Sequence, residues 1–439
     1  MPCSKHLKPI LAMAMALAVS ASAQTILHVG EAALHAAYVL LVPGPGGGFD
    51  VGYCTSDQCV WLIPRLPIES SDSWSAILSD ADQDGDLDAV IGAQGGAESF
   101  DNDGSGFFAA VDSLPAATFS GPIEALAAGD LNNDGYEDLV LATGSGVGCN
   151  HGCGGDYNQV YLNDGSGSYY DASDLIPAAG SQSRDVAVAD VNGDGLLDIY
   201  FANDVDHTTC GGPGGCHVYA RADELLINLG SSFALAPLPG AAARSQSVVM
   251  EDFDGDGDID IFVGHVPNCE GCTGFDELYV NDGAGGFAVA DGAMPEEALE
   301  SVAAAAGDVD GDGDLDLLVA GAYFASNRLY INETSAGGEV TFVLSQEFPE
   351  VAFTVDVALA DLNGDGALDA YFANDGLDTV YFGDGAGRFV LMTSAVPPGD
   401  SYTTGVEIGD VDGDGDPDAL LTRGGQDQVY INIGNGILR

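Results

Sequence analysis

The sequence predicts an all-β chain, a β-propeller, on three observations: an acidic nine-residue motif recurs seven times, its copies start 50, 60, 62, 56, 53 and 49 residues apart, and short apolar runs flank every copy. A period near 50 is that of a propeller blade, a sheet that cannot bury its own faces until its neighbours stack on it. Seven blades of four antiparallel strands are favoured over eight, with the acidic loop between the first and second strands of each.

Each strand has its own signal. Before a motif stands a run such as Val186–Ala189 or Val357–Ala360, and after it another such as Ile259–Val263 or Leu315–Val319. Runs of this length bounded by Gly and Asp read as buried strands. An alternating strand and an Asp-Gly turn follow, as in Val160–Gly167, Glu277–Gly285 and Val380–Gly387. That is a hairpin signal, so it supplies the third and fourth strands. The Ala-rich piece Glu297–Ala306 is the most helix-like, and its second half reads as a strand leading into Asp308. Residues 24–71 precede the first motif and carry a hairpin-like strand, Tyr38–Val42, before Gly44–Gly48. They are either the closing strands of the ring or a degenerate blade.

Lys5, His6 and Lys8, the apolar run Ile10–Val19 and Ala21-Ser22-Ala23 form the three parts of an export signal, with cleavage expected between Ala23 and Gln24. The run is shorter than the roughly 20 residues of a membrane span. The expected organisation is thus a signal peptide at 1–23 and a secreted, periplasmic or cell-surface propeller at 24–439. Eight cysteines remain after cleavage, as close pairs: Cys54/Cys59, Cys149/Cys153, Cys210/Cys216 and Cys269/Cys272. Export and even number favour four small disulfide loops. The competing reading is a metal or haem site, because His151, His207, His217 and His265 lie inside or beside the pairs. Against it, the spacing differs at every pair and no Cys-x-x-Cys-His occurs.

The full chain has 10 Lys+Arg against 69 Asp+Glu, yet 46% of it is hydrophobic. Acidic disorder would lack that apolar content, and nucleic-acid binding would need clustered cations. Beyond residue 23 there are 8 Arg, no Lys and a formal charge of −61. A charge that large calls for a cation.

The motif supplies the means. Its copies are Asp80, Asp82, Asp84, Asp86 and Asp88 (80–88); Asp130, Asn132, Asp134, Tyr136 and Asp138 (130–138); Asp190, Asn192, Asp194, Leu196 and Asp198 (190–198); and Asp252, Asp254, Asp256, Asp258 and Asp260 (252–260). The remaining three are Asp308, Asp310, Asp312, Asp314 and Asp316 (308–316); Asp361, Asn363, Asp365, Ala367 and Asp369 (361–369); and Asp410, Asp412, Asp414, Asp416 and Asp418 (410–418). Side chains at positions 1, 3, 5 and 9 can converge on one point, the position-7 carbonyl adds an oxygen, and Gly at position 6 makes the turn. Hard oxygen ligands in that number suit Ca²⁺, about seven ions in all. An EF-hand would place an acid at position 12, where this chain has Ile91, Leu141, Phe201, Val263, Val319, Phe372 and Leu421. Position 9 must therefore close the site.

The D-x-[DN]-x-D-G-x-x-D loop between strands, followed by segments such as Val160–Gly167, resembles the FG-GAP/VCBS repeat of secreted bacterial proteins and the calcium-binding blades of the integrin α-chain propeller. The resemblance spans about residues 72–433. It departs in lacking literal Gly-Ala-Pro strings and in inserting Cys loops between strands 2 and 3. It implies structural calcium and a non-enzymatic role in adhesion, ligand binding or scaffolding, with an extracellular protein or glycan as partner. Two other readings stand beside it: a lectin-like propeller with sugars stacked on interblade Tyr and Phe, and a polysaccharide lyase or hydrolase. The sequence offers no G-x-S-x-G, H-E-x-x-H or P-loop, and no catalytic residue is assigned. A monomer without transmembrane segment or nucleic-acid partner is expected. Asn332-Glu-Thr334 is a glycosylation sequon.

Overall fold

The computed structural model describes residues 27–28, 38–43, 49–54, 59–61, 65–67, 72–116, 121–144, 157–177, 182–212, 215–239, 243–266, 275–295, 301–321, 325–334, 339–348, 353–397 and 401–439. The expected signal peptide, Cys149, Cys153, Cys269, Cys272 and His151 lie outside the described residues. The chain divides into two units, Met1–Pro67 and Ile68–Arg439. In the first, Leu27–His28, Tyr38–Pro43, Phe49–Cys54 and Cys59–Trp61 form an antiparallel meander in chain order.

The second unit is built of repeated antiparallel sheets. Seven first strands, Ser73–Ser79, Ile123–Gly129, Ser183–Ala189, Arg244–Glu251, Ser301–Gly307, Phe353–Ala360 and Ser401–Gly409, open repeats 1 to 7. Each ends one residue before an acidic motif. The second strand then begins on the motif's last aspartate, as in Asp88–Ala93, Asp138–Thr143 and Asp316–Gly321. These second strands are buried along their whole length because a neighbouring sheet covers each face. That explains why they read as unbroken apolar runs rather than alternating ones.

The core lies between repeats. Val140 and Val160 of repeat 2 pack in one cluster with Ile199, Phe201 and Leu226 of repeat 3. Phe348 of repeat 5 meets Phe372 and Tyr381 of repeat 6, with ring centroids 5.0 Å away in each case. Fully burying one such ring contributes about 1.5–3 kcal/mol, so a repeat gains its stability from its neighbours.

The last repeat returns to the first. Ser73 Oγ of repeat 1 donates to Asp427 Oδ2 of repeat 7 (2.9 Å), and Thr404 Oγ1 donates to the Ser73 carbonyl (2.6 Å). Beyond the third strand of repeat 7, residues 431–439 fold back on themselves. Asn432 bridges Leu438, and Ile431 and Arg439 exchange N–H···O bonds of 2.9 Å in both directions. The sequence-inferred insert of repeat 3 is a hairpin of Val205–Gly212 with Gly215–Ala220, in which Cys210 and Cys216 stand opposite one another. Cys54 and Cys59 are likewise cross-strand partners.

Candidate metal centres

Each acidic loop is held in shape by its own carboxylates and N–H groups. In repeat 2, Asp130 accepts from the N–H of Asp134 at Oδ1 (3.0 Å) and from Gly135 at Oδ2 (2.8 Å). Asn132 Oδ1 accepts from Asp134 N–H (2.9 Å), and Asp134 Oδ1 from Tyr136 N–H (3.0 Å). The same bonds recur in repeat 3 around Asp190, Asn192 and Asp194. Gly at position 6 takes the left-handed backbone the turn needs, for example Gly135 at φ 92°.

Position 4 also turns left-handed, usually at Gly, but Gln83 (φ 60°) and Asn133 (φ 58°) accept the strain. Both amides reach the next loop: Gln83 Nε2 donates to the Gly135 carbonyl (2.6 Å) and Asn133 Nδ2 to that of Gly195 (2.9 Å).

The aspartate at position 9 ties the loop to the sheet. Asp138 Oδ2 accepts from Leu131 N–H at position 2 (3.0 Å), while Oδ1 accepts from Asn163 N–H at the end of the third strand (2.8 Å). Asp198, Asp260, Asp316, Asp369 and Asp418 repeat both bonds. Burial, against these N–H donors and aggravated by neighbouring aspartates, pushes the position-9 carboxyls up to about 6, and Asp418 to about 7. A cation in the loop would oppose that effect directly.

In four of the loops the oxygens come close enough together that they could hold a metal ion. In the loops with Asp at position 3, three carboxylates each bring one oxygen within 4.8 Å of the others: Asp80, Asp82 and Asp84; Asp252, Asp254 and Asp260; Asp308, Asp310 and Asp316; Asp410, Asp412 and Asp418. The first trio uses position 5 and the other three use position 9. In the remaining loops Asn132, Asn192 and Asn363 stand at position 3. Asn363 turns its Nδ2 onto Asp369 Oδ1 (3.2 Å), so its amide must rotate before its oxygen can join a cage. The donor set throughout is hard oxygen, which fits Ca²⁺.

A second set of residues went unrecognised in the sequence. Asn102, Asn163, Asn228, Asn281, Asn332 and Asn432 close the third strands, and each donates Nδ2 to a carbonyl in the preceding repeat: Val411, Ala81, Leu131, Val191, Phe253 and Leu362 respectively, at 2.7–2.9 Å. These carbonyls sit at position 2 of the neighbouring loop, so every latch joins one candidate metal centre to the next. The signal was the period-locked Asn at the end of the third strand in six of the seven repeats, with Gly383 in its place in repeat 6. Asn332 is also the sequon asparagine; it is 1% exposed and its amide is committed to Phe253 and Leu315, so in the folded chain it is no glycosylation acceptor.

Comparison with known proteins agrees with this architecture. The model of the FG-GAP-like repeat matches residues 80–141, 147–201, 252–319, 308–372 and 361–421, and that of the FG-GAP repeat matches 123–162. No curated protein matches the chain in sequence. Among solved structures, the chain is similar to that of a lectin from Agrocybe aegerita that recognises non-reducing terminal N-acetylglucosamine (17% identity, 82% of this chain and 90% of that one, TM-score 0.48). It is also similar to BBS1N, solved in complex with ARL6DN (11% identity, 83% and 93%, TM-score 0.51). A candidate 6-phosphogluconolactonase from Bacteroides uniformis is a third (13% identity, 84% and 95%, TM-score 0.53). Among the described residues no helix is long and apolar enough to cross a membrane. With the family models covering well over half its length, the chain belongs to the FG-GAP-like repeat family.

Proposed function

We propose that the chain is an exported, seven-bladed calcium-binding propeller that acts without catalysis, as a rigid adhesion, ligand-binding or scaffold module for an extracellular protein or glycan. The observation that supports this reading is the recurrence of one acidic loop at the same place in every repeat, with three carboxylate oxygens brought within 4.8 Å of one another in four of them. Its position-9 aspartate leads through backbone bonds to the asparagine latch on the preceding repeat. Metal held there stiffens the contact between repeats as well as the loop. Binding energy would thus enter folding energy, as expected for a structural site. If positions 1, 3, 5, 7 and 9 all ligate, protein oxygens would fill the coordination sphere and leave little room for a substrate. Disulfides at Cys54/Cys59 and Cys210/Cys216 accord with the register, because cross-strand partners have Cα atoms about 4.5–5.5 Å apart, within disulfide reach.

The test is thermal unfolding of the purified protein with calcium, after chelation, and after calcium is restored, together with elemental analysis. About seven calcium ions per chain and a large, reversible loss of melting temperature on chelation are expected. Superimposable melting curves with no bound metal would overturn the reading. Panels of immobilised glycans and extracellular proteins then identify the ligand class, and release of soluble products from a polysaccharide would contradict the absence of catalysis.

A further inference from the structure

An asparagine followed by glycine has the most exposed of amide side chains, because the next peptide nitrogen carries no side chain to keep it from the amide carbon. The chain has three such pairs: Asn192-Gly193, Asn363-Gly364 and Asn435-Gly436. The fold treats them differently. In repeat 3, Asn192 Oδ1 accepts the Asp194 N–H (3.0 Å), which also donates to Asp190 Oδ1 (3.1 Å). This turn folds the amide back over the Gly193 peptide, and it places an N–H donor on the oxygen where negative charge develops when Cγ is attacked. Gly193 is exposed at φ 71°, with nothing within 4 Å of the place a Cβ would take.

The other candidates are built differently. Asn363 turns Nδ2 onto Asp369 Oδ1 (3.2 Å), and Asp361 Oδ1 holds the Gly364 N–H (2.8 Å), so neither amide carbon nor nitrogen is offered to the other. Gly436 is buried, and a Cβ there would run into the Phe382 ring. Asn132 makes the same turn as Asn192, accepting the Asp134 N–H (2.9 Å). Its neighbour is Asn133, however, whose side chain is tied to the Gly195 carbonyl (2.9 Å). Only Asn192 combines the turn, the glycine and an open approach.

We propose that Asn192 is a site of self-deamidation in the folded chain, by attack of the Gly193 peptide nitrogen on its Cγ. Gly193 N gives its proton to solvent, the N–Cγ bond forms, the Cγ–Nδ2 bond breaks, and ammonia leaves with a proton taken from water. Water then opens the succinimide ring at either carbonyl, so the net change is amide plus water to carboxylate plus ammonium. Opening at one carbonyl leaves an ordinary aspartyl residue at position 3 of the loop, where Asp82, Asp254, Asp310 and Asp412 stand in their repeats. Opening at the other leaves isoaspartate. That product lengthens the backbone where Asn192 Cβ lies 3.4 Å from the place a Cβ on Gly285 of repeat 4 would take. The reaction uses no metal, so it stands whether or not the loops hold calcium.

Incubation of the purified full chain at mildly alkaline pH, below its melting temperature, tests this by peptide mapping with mass spectrometry and enzymatic methylation of isoaspartate. Asn192 is expected to convert at least several-fold faster than Asn363 and Asn435, and faster still than Asn132. In denaturant the three Asn-Gly pairs should converge on one rate. Gly193→Ala should slow the reaction at Asn192 at least tenfold. Asn192→Gln, whose longer side chain does not close the same ring, should release no ammonia from that position, and melting curves establish that both variants are folded. Any of three outcomes overturns the proposal: Asn192 keeps its amide in the folded chain, the three pairs convert there at one rate, or Gly193→Ala leaves the rate unchanged.

Discussion

The two ends of the repeat are joined to their neighbours by different chemistry. At the motif end, a neutral asparagine donates to a backbone carbonyl of the preceding repeat, six times with almost the same geometry. At the opposite end, a Ser or Thr at the start of a first strand meets an acid or amide that precedes the third strand of the repeat before. Ser245 donates to Asp223, Ser301 to Asp276 and Thr403 to Asp378, whereas Asn158 donates to Ser183 and Asn327 to Thr354. A backbone carbonyl is the same acceptor in every repeat, so the motif end needs one residue type. A hydroxyl both donates and accepts, so the opposite end tolerates Asp and Asn alike.

The largest expected effect comes from breaking the uniform end. Asn281→Ala leaves the carbonyls of Val191 and Ile259, now bonded at 2.7 and 2.8 Å, without their side-chain donor. A loss of about 2–4 kcal/mol is expected by denaturant unfolding in calcium. A loss under about 0.5 kcal/mol would mean that the latch contributes nothing.

Repeat 6 is the exception at that end and sharpens the comparison. Gly383 stands where the others have Asn, and the Val309 carbonyl is met instead by the Gly387 N–H (3.1 Å). A Cβ at Gly383 would come within 2.1 Å of the Leu368 carbonyl oxygen. Gly383→Asn should therefore cost about 1–3 kcal/mol through forced backbone movement rather than restore a latch. A melting temperature above the parent's would show that the site can repack.

At the opposite end the acids make the latch sensitive to pH. Burial pushes Asp276 up to about 6, partly offset by the Ser301 hydroxyl and the His265 N–H. The unfolded chain ionises this residue near 3.8, before the folded chain does, so its contribution is intact below about pH 4 and is lost as pH rises through about 6. Asp276→Asn copies the amide of repeats 2 and 5 and should flatten the pH dependence of stability in that window by on the order of 1–3 kcal/mol. Parallel curves for parent and variant would refute this.

The smallest effect should fall on the exposed links between loops. Gln83→Gly gives up the bond to Gly135 but releases a left-handed non-glycine residue, and the two should cancel to within about 0.5 kcal/mol.

Most of the strand plan was legible because the period, the apolar runs and the Asp-Gly turns are local signals. The acidic loops were legible for the same reason, since positions 1 to 9 are one continuous stretch. The asparagine latch was only half visible: Asn163 was seen within its hairpin, but its acceptor, the Ala81 carbonyl, lies 82 residues away. The acids at the opposite end carry no local mark. Asp223, Asp276, Asp378 and Asp427 stand outside the nine-residue motifs and prove to be buried or half-buried acceptors of hydroxyl donors from the next repeat.

By itself, then, the sequence determined the all-β repeat, its period and the place of the acidic loops, because each depends on residues that are neighbours along the chain. The tertiary structure alone decided which acids outside the loops are placed, which repeat each asparagine reads, and that the ring contact runs from Asp427 back to Ser73. Those contacts join residues tens to hundreds of positions apart, and only the stacking of sheets brings a buried carboxylate to the one hydroxyl or N–H that makes its burial tolerable.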